Sequence, residues 1–525
     1  MQFVSEPSVP VKIQKMKQRV RWRDSQMLKR GIDQTQLVLD DGWDDHPEFS
    51  FLVVGDSGSG SHRGHNPQRE VAERVLEHRD ECRFVLHTGD VVYLVGSSEF
   101  YPKNFIEPYR EFLVGGDRPD QIRFDRMIFN QPFLPVPGNH DYYDLPFVYG
   151  LAVQLSLPIR NLFQSRIDLD VGWHGSSQGK DYARAFLDYL LSIPAGRELE
   201  QHLDRHYSAQ ASTGRCLRYE PKLFTRLPNR YYTFRYGGID FFALDSNTFN
   251  APIPLSKDAE GDLQRQQLEQ RRSEVEKQKL EVIETSLNLN PTDPDDSEQL
   301  DDLRTKLEQL EENERDINKQ LTANRAIVTD QEQLDWLQER LIESWNTESV
   351  RGRVVYFHHP PYVTEATKWD QAQTLAVRHR FRRVLNEVAN GVGMLAEGRS
   401  IVDLVLNGHA HCLEYLRTED TGHADSYINW IVCGGSGYSL RRQRKEGTVL
   451  SEGFTHPSSQ VVRPVARSHL FIGRNGQGTH KRRPYSFLRI DVRDGNPPKF
   501  LIRPFVSERY QHQWLRPSYD PFEIG

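Results

Sequence analysis

Apolar residues in this chain come in short runs that stop abruptly at a small or polar residue. Phe51-Leu-Val-Val54 stops at Gly55-Asp56, Phe84-Val-Leu86 at His87-Thr-Gly-Asp90, and a run ending at Val136 at Pro137-Gly-Asn139. Further on, Val354-Val-Tyr-Phe357 stops at His358, and the run ending at Leu406 stops at Asn407-Gly-His409. Runs of this length, unbroken by polar alternation, predict buried strands. Between the first two, Gln68 to His78 places Val71, Val75 and Leu76 at helical spacing. Strands alternating with helices predict an α/β sheet. Tyr231 to Asn247 predicts a hairpin turning at Gly237-Gly238, and Gln331 to Ser344 a helix. Tyr427 to Val432, Ser486 to Val492 and Phe500 to Val506 predict further strands.

The pattern changes between 256 and 330, where Glu, Gln, Lys, Arg and Leu dominate. Leu268, Val275 and Val282 repeat every seven residues. Leu300, Leu303, Leu307, Leu310, Ile317 and Leu321 alternate spacings of three and four, broken at Glu314. With the break at Asn288 to Ser297, this predicts an antiparallel coiled-coil hairpin inserted into the core. The organisation read from the chain is a polar arm over 1–47 and a core in two parts, 48–255 and 331–525. A lid-like excursion is expected over 145–229 and a basic loop over 440–485. The inserted hairpin contributes none of the five strand-end motifs, so it is expected to act as a docking arm for a protein partner or for self-association.

Bulk composition narrows the class. The net charge of -7 over 525 residues gives no basic surface for nucleic acid, and the basic stretch at 440–485 is read as a solvated loop. No run of about 18 apolar residues is present, so no membrane span is expected. Four dispersed cysteines without a CxxC pair suit a reducing compartment. The start Met1-Gln-Phe-Val-Ser-Glu lacks an apolar signal core. A cytoplasmic location is therefore expected.

The strand ends carry the candidate chemistry. Ligands of α/β sheets collect outside the strand ends, and five converging loops would bring two Asp, one Asn, several His and one Tyr together. That donor set suits a pair of metal ions, a standard device for phosphoester hydrolysis. Each motif alone occurs by chance as a turn glycine beside a capping or solvated residue. Five of them in order, each behind an apolar run, are a stronger signal.

The ordered motifs are Gly55-Asp56-Ser-Gly58, Gly89-Asp90-Val-Val-Tyr93, Gly138-Asn139-His140-Asp141, Val355-Tyr-Phe-His358 and Gly408-His409-Ala-His411. The set resembles the calcineurin-like metallophosphoesterase superfamily and, within it, the purple acid phosphatases, over residues 48–255 and 331–510. The resemblance implies a four-layer α/β/β/α core and a first metal held by Asp56, Asp90, Tyr93 and His411. It implies a second metal held by Asp90, Asn139, His358 and His409. His140 would serve the leaving group, oriented by Asp141. Gly58 stands where the wider superfamily has a His ligand, and Tyr93 would supply the missing donor as a phenolate. Hard oxygen donors suit iron at the Tyr93 site, with iron, manganese or zinc at the second.

The implied activity is hydrolysis of a phosphomonoester, on a small molecule or a protein, by metal-bound hydroxide. The alternatives are a cyclic-nucleotide or nucleotide phosphodiesterase with the same metals, and a coiled-coil scaffold with a vestigial site. His359 is read as packing, because neighbours on an extended chain face opposite ways. The chain departs from the family after His358, where Val363-Thr-Glu-Ala-Thr-Lys-Trp369 holds no substrate-facing His. His174 and Arg441 to Lys445 are the candidates to replace it.

Overall fold

A computed structural model describes residues 4–43, 46–59, 65–145, 175–323, 328–396, 398–456, 459–477 and 480–525. Its helices are α1 (Val9–Arg19), α2 (Ser25–Lys29), α3 (Pro67–Leu76), α4 (Lys180–Phe186), α5 (Arg197–His206), α6 (Ala259–Leu287), α7 (Pro294–Thr322), α8 (Gln331–Trp345) and α9 (Ala372–Val392).

Two sheets form the centre. One runs, edge to edge, through Gln513–Leu515, Lys499–Tyr510, Arg482–Arg493, Phe49–Val54, Val85–His87 and Phe133–Pro135. The other has eleven strands, and its middle is Asn429–Cys433, Leu404–Asn407, Gly352–Phe357, Ile239–Ala243 and Tyr232–Tyr236. The strands that precede the motifs run parallel to one another within each sheet. Their carboxyl ends therefore leave each sheet on one side.

Alternation along the strands builds the layers. Val354 and Tyr356 face the core between the sheets, while Val355 and Phe357 face α8 and α9 on the outside. Between the sheets, Phe51 and Phe84 meet Phe241 edge-on with ring centroids 5.5 and 5.3 Å apart. Full burial of each such ring is worth about 1.5–3 kcal/mol. α3 packs on the outer face of the other sheet, and the order α/β/β/α follows. The expected turn at Gly237-Gly238 is present, with φ of 56° and 73°, the conformation a two-residue hairpin loop needs.

Three segments differ from expectation. Within the polar arm, Ile32–Leu39 is a strand of the large sheet, parallel to Gly214–Tyr219 and paired with Tyr232–Tyr236. Its Asp, Gln and Thr side chains mask the apolar pattern. The basic loop is mostly strand: Val449–His456 pairs with Ser459–Ile472, and Arg482–Arg493 lies in the other sheet. Its cations sit at strand edges or meet acids, and so do not break the strands. Much of the expected lid, with His174, lies outside the described residues. The part from 175 holds α4 and α5 and strands that extend the large sheet.

The insert forms two antiparallel helices of 29 residues each, α6 and α7. Asp258 and Asp293 cap their first turns, with Pro294 opening α7. Val275, Val282, Leu307, Leu310 and Ile317 are buried. The break in spacing at Glu314 has a partner: Lys279 of α6 reaches it at 2.7 Å. The hairpin does not stand away from the core. α7 lies across the strand-end side, and that placement decides the shape of the site.

Candidate metal centre

Eight residues predicted from the five motifs meet in one buried cluster. Asp56 and Asp90 follow their strands in the left-handed region, with φ of 53° and 55°, and His409 does so with φ of 65°. Non-glycine residues rarely hold this conformation, and where they do the site around them enforces it. The turns are tight: a Cβ on Gly138 would lie 2.1 Å from Asp90 Oδ1.

The Tyr93 hydroxyl lies 2.8 Å from Asp56 Oδ1, 2.7 Å from Asp90 Oδ2 and 3.3 Å from His411 Nε2. His411 Nε2 is 3.6 Å from Asp56 Oδ1. On the other side of Asp90, His358 Nε2 lies 3.3 Å from Asp90 Oδ2 and 2.9 Å from Asn139 Oδ1. Donor atoms of Asp56, Asp90 and His358 fall within 4.8 Å of one another, as do those of His358, His359 and His409. Asp90 thus sits between a Tyr93–Asp56–His411 group and a His358–Asn139 group.

The electrostatics call for added positive charge. Both carboxylates are fully buried. Burial and the charge of Asp90 push the Asp56 carboxyl well above its usual range. Burial disfavours a charged His358, yet neighbouring Asp90 outweighs it and raises the imidazole to about 9. Burial, assisted by Lys368, drives His409 down to about 3, and burial likewise lowers His411. His409 and His411 are thereby neutral, as metal ligands must be, and the positive charge that Asp90 draws onto His358 stands where a cation would offset the carboxylates. The donors present therefore fit a pair of metal ions.

His140 is at the rim of this cluster, its Nε2 4.0 Å from Asp90 Oδ2. Its Nδ1 is held by the Leu94 carbonyl at 2.5 Å. Asp141 does not orient it, which corrects the expectation. The Asp141 carboxylate accepts the amides of Gly138 at 2.8 Å, Asp90 at 3.1 Å and Val91 at 3.2 Å. Its role is to tie two motif loops together. His359 has partners for both ring nitrogens, Ser246 Oγ at 2.8 Å and Asn250 Nδ2 at 3.3 Å, although its ring also lies 4.5 Å from that of His409.

Residues outside the motifs complete the site. Lys368 Nζ lies 3.0 Å from His409 Nε2, so the segment that lacks a histidine contributes a lysine instead. Arg441 lines the cavity and donates to the Thr305 carbonyl at 2.6 Å. α7 adds Glu308, Glu311, Glu312 and Arg315 to the wall. Glu312 pairs with Lys368 and lies 3.3 Å from His409 Nε2. Burial opposes its charge, but Lys368 and His409 outweigh burial and keep its carboxyl well below the usual range. With α7 seated, the cavity is narrow, about 30 Å³. In the sequence these α7 residues read as the solvated face of a helix, and nothing local marks them otherwise.

No family profile matches this chain, and no curated protein does. Among solved structures it is similar to GAP50, the anchor in the inner membrane complex of Plasmodium, at 10% identity over 91% of this chain and 88% of that one, with a TM-score of 0.38. A purple acid phosphatase from yellow lupin (Lupinus luteus) seeds is 10% identical over 92% of this chain and 54% of its own, with a TM-score of 0.38. PhoD is 11% identical over 91% and 70%, with a TM-score of 0.39. Among the described residues, no helix is long and apolar enough to cross a membrane. Two facing sheets with helices outside them, and motif loops meeting at one edge, make this chain a layered α/β/β/α fold.

Proposed function

We propose that this protein is a dinuclear metal-dependent phosphoesterase that hydrolyses a phosphomonoester. One observation carries the reading: the Tyr93 hydroxyl lies within 2.8 Å of both Asp56 and Asp90, in a cluster that also gathers Asn139, His358, His409 and His411. Asp56, Asp90, Tyr93 and His411 would hold the first metal, and Asp90, Asn139, His358 and His409 the second. Phenol and carboxylate oxygens suit iron at the first position, and iron, manganese or zinc would occupy the second. When bound, such a pair supplies an activated water near neutral pH and neutralises phosphoryl charge.

The chain's own groups do the rest. His140, with Nδ1–H donating to the Leu94 carbonyl, would pass a proton from Nε2 to the leaving oxygen as the imidazolium, a form that burial disfavours and neighbouring Asp90 favours. Lys368 and Arg441 place cations at the cavity wall, where phosphoryl oxygens need them. Asp141, by binding three backbone amides, fixes the distance between the Asp90 and Asn139 loops. The test is metal analysis of the purified protein together with a panel of aryl phosphates and bis-aryl phosphodiesters. About two metals per chain and a preference for monoesters are expected. Asp90→Asn should lose both metal and turnover. A variant with wild-type metal content and activity would remove the assignment.

A further inference from the structure

We infer that Arg315, on the inserted hairpin, binds a second anionic group on the leaving side of the substrate. The phosphomonoesters taken best would then carry a carboxylate or a further phosphate beyond the scissile ester. The inference rests on the phosphoesterase reading above and deepens it to a substrate class.

Lys368, Arg441 and Arg315 all line the cavity. Lys368 contacts Glu312, while Arg441 lies 3.8 Å from Glu308 and donates to the Thr305 carbonyl at 2.6 Å. Arg315 is different. Among the described residues its side chain makes no ion pair and no hydrogen bond, and its Nε is buried without a partner. The acids whose charge reaches it are Glu311, Glu312 and Glu6, and each is taken by a lysine. Glu311 lies 3.5 Å from Lys279, Glu312 contacts Lys368, and Glu6 lies 2.5 Å from both Lys12 and Lys319. A buried donor left unmatched costs stability, and a guanidinium fork is shaped for the paired oxygens of a carboxylate or phosphate. Arg315 is therefore matched to an anion that the chain itself does not supply.

Its position says which anion. The Arg315 guanidinium carbon lies 4.9 Å from the centre of the Tyr143 ring, and the His140 ring lies 4.8 Å from the same ring. Arg315 and His140 thus share one end of the cavity, the end where the leaving oxygen receives its proton. Lys368, 3.0 Å from His409, and Arg441, whose amide bonds to the His411 carbonyl at 2.9 Å, stand by the other two histidines of the wall. The phosphoryl group in transfer falls to these, and the leaving group falls to Arg315. The helix is anchored for this on both sides. Asp302 meets Arg474 and Lys481. Asp316, next to Arg315, accepts the amides of Ala372 and Gln373 at 2.8 and 3.0 Å, capping α9.

The experiment compares kcat/KM of metal-loaded protein on ethyl phosphate, phosphoglycolate and ethylene glycol bisphosphate. Their leaving groups carry, in turn, no charge, a carboxylate and a phosphate. A hydrogen bond to a charged group is worth about 10- to 100-fold, so wild type should prefer one or both acidic substrates to ethyl phosphate by that factor. A preference for either supports the inference and tells which group Arg315 takes. Arg315→Gln should shrink the preference by about the same factor, with metal content retained. Arg315→Lys, which keeps the charge but not the fork, should keep part of it, and it carries the test if Arg315→Gln does not fold. A wild type that prefers neither acidic substrate, or variants with its preference intact, would overturn the inference while the phosphoesterase reading stands. Equal losses on all three substrates in Arg315→Gln would place Arg315 on the transferred phosphoryl group and overturn it likewise. Wild-type protein that binds no metal and hydrolyses none of the three would overturn both.

Discussion

A Cβ on Gly58 would lie 1.9 Å from the carbonyl oxygen of Val91. The loop after Asp90 crosses directly over Gly58, and the Tyr93 amide donates to the Gly58 carbonyl at 2.9 Å. Glycine at 58 and tyrosine at 93 are thus one feature: the absent side chain admits the loop that delivers the phenol. Gly58→Ala should push this loop away, at a cost of about 1–3 kcal/mol typical of overpacking. Denaturant unfolding with metal analysis checks it. The variant should bind less metal at the Tyr93 position, and an unaltered metal content would separate the two residues.

Tyr93 itself is testable by colour. Burial and the neighbouring carboxylates Asp56 and Asp90 hold its phenol well above the ordinary tyrosine range, so only a strongly Lewis-acidic cation would take its proton's place. Iron-loaded, oxidised protein should show a broad visible charge-transfer band. Tyr93→Phe should lose that band while the fold persists, because its ring stacks on Tyr438 at 3.7 Å without needing the hydroxyl. A colourless oxidised wild type with full iron content would exclude Tyr93 as a ligand.

For His140 the expected loss depends on the substrate. A group that passes a proton to the leaving oxygen contributes about 10²- to 10⁴-fold. His140→Ala should lower kcat in that range for alkyl phosphates, with metals still bound. Nitrophenyl phosphate, whose leaving group needs no proton, should lose far less. Equal losses on both would assign His140 to positioning.

The motif residues were legible because each follows an apolar run, and a run of that kind has few fates other than a buried strand. Asp56, Asp90, Asn139, His358 and His409 could be placed at strand ends from the sequence alone, and the structure brings them together. Lys368 was not legible, since Thr364-Glu-Ala-Thr-Lys-Trp369 has no periodicity and its burial comes from the loop's tertiary path. Glu312 was hidden for a different reason. Arg304, Glu308, Glu311, Arg315 and Lys319 repeat at three to four residues, which in a lone helix marks the solvated face. Here that face docks on Tyr438, Arg441 and Lys368 through charge rather than apolar contact, and hydrophobic patterning carries no trace of such docking. Asp141 shows the converse: the motif located it, but only the geometry shows which groups it holds.

Glu414 predicts a pH dependence of stability away from the ligands. Burial raises its carboxyl to about 7 from an ordinary 4.5. It accepts the Thr364 amide at 3.0 Å, and the Thr364 hydroxyl also contacts it. The folded protein therefore keeps a proton there that the unfolded chain releases. Stability from this group is complete below about pH 4.5 and is lost as pH rises through about 7. The full effect is about 3 kcal/mol at one pK unit per 1.4 kcal/mol. Glutamine mimics the protonated acid in size and hydrogen bonding, so Glu414→Gln should flatten the decline in melting temperature between pH 5 and 8. Parallel curves for variant and wild type would remove Glu414 as the source.

Removing the hairpin should change substrate preference, which removing a docking arm would leave alone. The chain leaves and re-enters the core at nearby points, as the Gln320 amide bonded to the Ile253 carbonyl at 2.8 Å shows. A short Gly/Ser linker in place of 257–328 should therefore let both sheets fold. Such a protein loses Arg315 and the cover over the cavity together. At saturating metal it should still hydrolyse a small aryl phosphate, because Asp56, Asp90, Tyr93, Asn139, His358, His409 and His411 all remain. Its preference for phosphoglycolate or ethylene glycol bisphosphate over ethyl phosphate should fall about 10- to 100-fold, as in Arg315→Gln. Rates on these substrates, for intact and shortened chains side by side, decide the matter. A folded, metal-saturated but inactive shortened protein would mean that α7 residues are needed for hydrolysis itself. An unchanged preference would mean that the hairpin is only a cover.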